Sequence, residues 1–99
     1  MNMQNLMAQA QKMQRDIARK KEEIDNTIFE GESEWVQVKI NGKKEIESLK
    51  IKFEGPIDND DKDILADMIK IAFKNAYEQV DKELESKMGA FGSSLNGLF

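Results

Sequence analysis

Lys12, Arg15 and Arg19 stand three and four residues apart. On a helix this spacing gathers them on one face. Cations repeated at helical intervals match phosphates arrayed along a nucleic-acid duplex. Lys20 and Lys21 extend the cluster, and Lys20 occupies a place where the apolar pattern of the segment calls for a hydrophobic residue. The competing account is a solvated face, with Arg15 or Arg19 paired locally to Glu22 or Glu23.

The other candidates for chemistry are weaker. Asp58, Asn59, Asp60, Asp61, Asp63 and Asp67 form a carboxylate-rich stretch. It lacks the glycine and the terminal Glu of a calcium loop, and its carboxylates suit the positive start of a helix. Trp35 and Tyr77 could stack on bases, although a tryptophan at the start of a strand more often packs against a helix. The chain has no cysteine and no histidine. That removes the thiolate nucleophile, the zinc–thiolate site and the commonest general base. There is no phosphate-cradling glycine loop and no catalytic constellation of carboxylates. The residues therefore describe a binding protein rather than an enzyme, with no metal or cofactor called for.

The charge is unevenly spread. Residues 1–21 carry five bases and one acid, a balance of +4, whereas the remainder carries ten bases and eighteen acids, a balance of −8. A basic end is thus joined to an acidic body. At 99 residues, 39% of them hydrophobic, the chain suffices for one domain with a modest core. No apolar run approaches the roughly 20 residues of a membrane span, and the start lacks the order of a signal peptide. A cytoplasmic protein with no membrane partner is expected.

The elements that must position these residues follow from periodicity. Met3, Ala10, Ile17 and Ile24 recur every seven residues, with Leu6 and Met13 three after the first two and Met7 widening the seam. This predicts a helix over residues 3–24, about 36 Å long if it runs from residue 2 to 25. The period then changes to two. Thr27–Glu30 reads as a short strand closed by Gly31, and Val36, Val38 and Ile40 alternate with Gln37 and Lys39. Asn41-Gly42 predicts a two-residue type I′ hairpin turn. The return strand places Leu49, Ile51 and Phe53 on one face, and Gly55-Pro56 ends it. A second helix runs from the acidic start to about Lys87, with Leu65, Met68, Ala72, Ala76, Val80 and Leu84 as its main stripe, broadened by Ile64, Ile69, Ile71 and Phe73. Residues 89–99, rich in glycine, read as a mobile tail. The expected fold is α+β: a long helix, a three-stranded antiparallel sheet and a long helix in one domain over residues 1–88.

Both helices are longer than the sheet can cover. The second, at about 42 Å, compares with strands of roughly 20–26 Å. A second copy of the chain is the simplest supplier of the missing surface, with Met68, Ile69, Ala72, Phe73 and Ala76 expected at the dimer interface.

The order of motifs resembles the YbaB/EbfC family of bacterial nucleoid-associated proteins. Met3-Gln-Asn-Leu-Met-Ala-Gln-Ala-Gln-Lys-Met-Gln14 is similar to the Met/Gln-rich first helix of that family. Val36-Gln-Val-Lys-Ile-Asn-Gly42 is similar to its strand and turn, and Leu65–Ala76 to its second-helix signature. Lys87-Met-Gly89 and the tail ending Gly97-Leu-Phe99 are similar to its terminus. Essentially the whole chain is covered, in order. The resemblance implies a tweezer-like homodimer with projecting helices. It implies binding of double-stranded DNA with limited sequence specificity, organisation of the chromosome within the nucleoid, effects on gene expression and partners among other DNA-maintenance proteins. It implies no catalytic residue and no cofactor. Carried over position by position, it assigns DNA contact to Lys12, Arg15, Arg19, Lys20 and Lys21, and more weakly to Lys82 and Lys87. The chain departs from the family in having Gly31-Glu-Ser-Glu-Trp35 where a glycine run is frequent. It also departs in its acidic body, which must repel DNA and confine contact to the helix tips. The alternative reading is a protein-interaction adaptor that uses its helices and the apolar tail residues Phe91, Leu95, Leu98 and Phe99 without touching DNA.

Overall fold

The computed structural model describes residues 2–89. The first helix, α1, spans Met3–Asp25. The Asn2 side chain caps its start by accepting from the Gln4 amide at 2.9 Å. At its end the Thr27 amide donates to the Ile24 carbonyl and the Thr27 hydroxyl to the Glu23 carbonyl. Thr27 therefore completes the helix rather than beginning a strand. The first strand, β1, is shifted accordingly to Phe29–Glu32, with Gly31 inside it.

Strands β2 (Val36–Ile40) and β3 (Ile46–Ile51) complete an antiparallel sheet in the order β1-β2-β3. The turn between them differs from the expected two-residue form. The Lys44 amide donates to the Asn41 carbonyl, the Asn41 amide donates to the Glu45 carbonyl, and the left-handed residue is Lys44, at φ +64. The Asn41 side chain holds the loop by accepting from the amides of Lys43 and Glu45. Gly42 serves another need. A Cβ there would lie 2.0 Å from the Ile24 carbonyl oxygen, because α1 ends against this turn and the Gly42 amide donates to the Asp25 carbonyl.

A bulge alters the register after Lys39↔Ser48, so that Ile40 faces Ile46. Without the extra residue Glu47 would oppose Ile40; with it, Ile46 joins Leu49 and Ile51 on the inner face. Three cross-strand apolar pairs result: Val36 with Ile51, Val38 with Leu49 and Ile40 with Ile46.

Asp58 and Asp61 form a reciprocal capping box on a single 3-10 turn, Asn59–Asp61, which leads into the second helix, α2 (Lys62–Met88). This helix lies over β1 and β2. Ala72 and Ala76 press on Gly31, where a Cβ would sit 2.1 Å from the Ala72 carbonyl oxygen and 2.7 Å from the Ala76 Cβ. Asn75 accepts from the Glu32 amide and Gln79 donates to the Glu30 carbonyl, fixing the helix along the strand. The core is Ile24, Phe29, Val36, Val38, Ile40, Ala72, Ala76, Val80 and Met88. Ile17, Leu65, Met68, Ile69, Phe73, Tyr77 and Leu84 pack partly against it, as does Trp35, whose ring lies 4.3 Å from that of Phe53. The expected mobile tail lies, beyond Gly89, outside the described residues.

The molecule extends over 70 × 20 × 16 Å. At 1.5 Å per residue α1 is about 34 Å and α2 about 40 Å long, so neither alone accounts for the length. Both are anchored at the hairpin turn, α1 through Asp25 and α2 through an Asp81–Lys44 ion pair at 3.1 Å. From there α2 has seven residues left and α1 runs back over twenty-two. The two helices pack together near the turn, and α1 then outruns α2 by about 23 Å.

Candidate nucleic-acid interface

The part of α1 that outruns α2 is a free arm. Every residue from Met3 to Arg15 is exposed, and cover begins at Asp16 and Ile17. The arm contains Lys12 and Arg15 and no acid. At 100° per residue, Lys12, Arg15 and Arg19 fall within an arc of about 60°. They lie about half a turn from Ile17 and Ile24, the α1 residues that pack against the body. The basic stripe therefore points away from α2, in full contact with solvent.

The candidate cations are not equivalent. Lys12 and Arg15 have no acidic partner among the described residues. Arg19 is exposed but forms an ion pair with Asp16 at 3.2 Å, in place of the pairing with Glu22 or Glu23 considered from the sequence. Lys21 is half-buried and pairs with Asp25, on the seam side of the helix. Lys20 is also half-buried and has an interaction of its own. On α2, Lys82 is exposed, and Lys87 lies 4.0 Å from Glu83. The arrangement thus brings Lys12, Arg15 and Arg19 onto one surface. It leaves Lys20 and Lys21 near the body and Lys82 and Lys87 on the other helix. The acids that occupy Arg19 and Lys21 stand at three- and four-residue spacing and could have been read from the sequence.

The residues expected at a dimer interface are divided by the fold. Ala72 and Ala76 are fully buried within the protomer, beneath which Gly31 passes, so they offer no surface to a second chain. Met68, Ile69 and Phe73 remain partly exposed. Ile69 and Phe73 line an open depression with Tyr77, Lys44, Lys70 and Lys74, in which the Lys44 ammonium sits 5.3 Å from the centre of the Tyr77 ring. The larger uncovered apolar surface is one that periodicity did not single out. Ile46, Leu49 and Ile51 on β3 are all exposed, as are Ile64 and Ile71 on α2, because α2 covers β1 and β2 and stops short of the third strand. Among the described residues no group of histidine, cysteine and carboxylate side chains could hold a metal ion. No described helix is long and apolar enough to cross a membrane.

Over residues 1–95 the chain matches the model of the YbaB/EbfC DNA-binding family. It is 41% identical over 97 residues to a nucleoid-associated protein of Lactococcus lactis subsp. lactis (strain IL1403), covering 96% of this chain and 97% of that protein. A nucleoid-associated protein of Clostridium perfringens (strain SM101 / Type A) is 42% identical over 102 residues, covering 99% of this chain and 90% of that one. A third, from Ligilactobacillus salivarius (strain UCC118), is 36% identical over 100 residues, covering 99% of this chain and 95% of that protein.

Proposed function

The chain belongs to the YbaB/EbfC DNA-binding family, and from that premise we propose that it binds duplex DNA as a homodimer, with the outer face of the α1 arm as the contact surface. One observation carries this reading: the arm projects clear of the body with no acid between Met3 and Arg15, and its Lys12 and Arg15 share one outer face of α1 with Arg19. Cations at this spacing neutralise successive phosphates and release the counterions condensed on the duplex. Contacts of this kind position a protein on DNA without reading bases, in keeping with limited sequence specificity. The acidic body keeps the remainder of the molecule off the duplex.

Dimerisation is supported by the bare inner face of β3. Ile46, Leu49 and Ile51 form a continuous strip beside a closed core, and a second copy offering the same strip and the exposed side of α2 would bury both. Two arms would then act on one duplex, which raises the apparent affinity of a weak single contact. Chromosome organisation and effects on gene expression follow if many such dimers coat or bridge DNA in the nucleoid of the cytoplasm. The family is a DNA-binding one and not a family of enzymes.

The test is a mobility-shift titration on duplex DNA across a salt series, with the wild type and a Lys12→Ala/Arg15→Ala double variant. The variant should lower the slope of log K against log salt by about 0.9 for each phosphate no longer neutralised. An unchanged slope, or no retardation of DNA by dimeric wild-type protein at low salt, overturns the reading.

A further inference from the structure

The apolar line of α1 is covered in its second half and bare in its first. Ile17 and Ile24 pack against the core, where α1 meets α2. Met3, Leu6, Met7, Ala10 and Met13 continue the same line outward and are all exposed, with Met3 at 76%, Met7 at 59% and Met13 at 52%. Nothing among the described residues covers them. Met3, Leu6, Ala10 and Met13 stand alternately three and four residues apart, the spacing by which one helix packs along another. The residues that flank this seam are Met7, Gln9 and Gln14, none of them charged. Flanks of this kind ordinarily carry the charges that choose a partner. Both cations of the arm, Lys12 and Arg15, lie instead on the opposite side of the helix. Two such arms can therefore meet seam to seam without bringing like charges together.

We infer that the seam is covered by the arm of a second copy, laid antiparallel to the first. The orientation follows from the body. Beyond Met13 the line of the seam is taken up by packing against α2. A parallel copy would have to place its own body, attached at the same end, into space that the first body fills. An antiparallel copy leaves its body at the far end. The seam is also self-complementary in that orientation. With the two-fold axis passing level with Ala8, Met3 of one arm meets Met13 of the other, and Leu6 of one meets Ala10 of the other. In the inner pairs the larger side chain fills the space left by the smaller, whereas a parallel pairing would set Ala10 on Ala10. Each tip ends level with Met13 of the other arm, short of Asp16 and Ile17, where cover by the body begins. The overlap from Met3 to Met13 is about 15 Å. A helix of so few residues is marginal in water by itself, and pairing holds both arms helical. The bodies stand at opposite ends of the seam, so this contact is separate from the strip on β3 and, being short, is the weaker of the two. Where β3 joins two chains, the arms join one such dimer to the next; that linkage rests on the β3 reading, whereas the arm contact does not. Lys12, Arg15 and Arg19 face outward on both sides of the pair and stay open to phosphates.

The chain has no native cysteine, which makes a cross-linking test clean. Full-length Leu6→Cys and Ala10→Cys proteins, mixed in equal amounts without DNA and oxidised mildly, should form the mixed disulfide in about tenfold excess over either symmetric one. Mass spectrometry separates the three products. Both positions are exposed, so neither change disturbs the core. A mixed product at or below the half share that random collision gives, or no bonding between chains, overturns the inference. A second measurement avoids engineered thiols. In sedimentation at rising concentration the wild type should pass from two chains to four and beyond, and Leu6→Lys should stop at two. If β3 does not join two chains, the wild type passes from one chain to two and Leu6→Lys stays at one, so the two readings fail separately. Equal masses for wild type and Leu6→Lys at every concentration overturn the inference. Neither readout involves DNA, so they stand or fall apart from the binding reading.

Discussion

Val38 and Leu49 face each other across the β2–β3 ladder on the same side of the sheet, yet Val38 is wholly buried and Leu49 is 41% exposed. The difference is made by α2, which closes over the first two strands and stops at the third. Leu49→Lys therefore removes little from the protomer core and places a charge in the middle of the strip that a second copy would cover. The variant should keep its helical circular dichroism and its cooperative unfolding, and sediment as a monomer at concentrations where the wild type is dimeric. A dimeric Leu49→Lys protein would exclude β3 from the interface.

Gly31→Ala should be among the most damaging single changes. The added methyl would lie 2.1 Å from a backbone carbonyl on α2, and neither helix nor strand can yield without opening the core between them. The expected loss is about 3 kcal/mol, the upper end for overpacking, read as a lower urea midpoint. Adding Ala76→Gly should restore only part of it, because the Ala72 carbonyl remains in the way.

At the hairpin turn, three terms oppose one another. Lys44 holds a left-handed backbone, which costs a non-glycine residue about 1–2 kcal/mol. It also forms an exposed ion pair with Asp81 and sits over the Tyr77 ring, each interaction worth up to about 1 kcal/mol. Lys44→Asn relieves strain and gives up both interactions, so its stability should stay within about 0.5 kcal/mol of wild type. Lys44→Val gives up both and adds strain, and should fall by about 2 kcal/mol. Thermal melts of the two variants distinguish these outcomes; equal melting temperatures would show that the turn tolerates any residue.

Asp16 restrains the proposed DNA surface. It is the partner of Arg19, and the pair is exposed enough to add at most about 1 kcal/mol to folding. Asp16→Asn should leave stability nearly unchanged, tighten DNA binding at low salt and steepen the salt slope by up to about 0.9. Binding that is unaffected would place Arg19 outside the contact surface.

Asp58→Ala breaks the capping box at the start of α2. The loss should be about 1 kcal/mol, visible as a lower urea midpoint, with DNA binding at fixed protein concentration unchanged.

Much of this architecture is legible in the sequence because it is local. The seven-residue recurrence from Met3 to Ile24 marks α1 to within a residue of its end. The alternation of Val36, Val38 and Ile40 marks β2, and the run from Asp58 to Asp61 marks the entry to α2. What escapes is what only distant segments can decide. Ala72 and Ala76 read as interface because their stripe is apolar, yet their small size is what lets α2 settle on Gly31. Gly42 reads as a turn residue, whereas the close approach of Ile24 requires it and the turn takes its left-handed residue from Lys44. The bulge that brings Ile46 inward leaves no pattern of its own. For the basic cluster, spacing gathers Lys12, Arg15 and Arg19 on one face and offers Asp16 and Asp25 as local partners, but the partial burial of Lys21 depends on which side of α1 meets the body.

The offset between the helices also separates charge along the molecule. The carboxylates of Asp58, Asp60, Asp61 and Asp63 gather where α2 begins, whereas Lys12 and Arg15 sit on the arm past its other end, in a body 70 Å long. Each protomer therefore carries a dipole along its long axis, and a two-fold dimer retains the part of it that lies along the symmetry axis. In the field of a polyanion that dipole feels a torque before any contact is made, turning the arm inward and the acidic end outward. Encounters that would fail by orientation in a uniformly charged protein are corrected during the approach, and the correction fades as added salt shortens the range over which the field is felt.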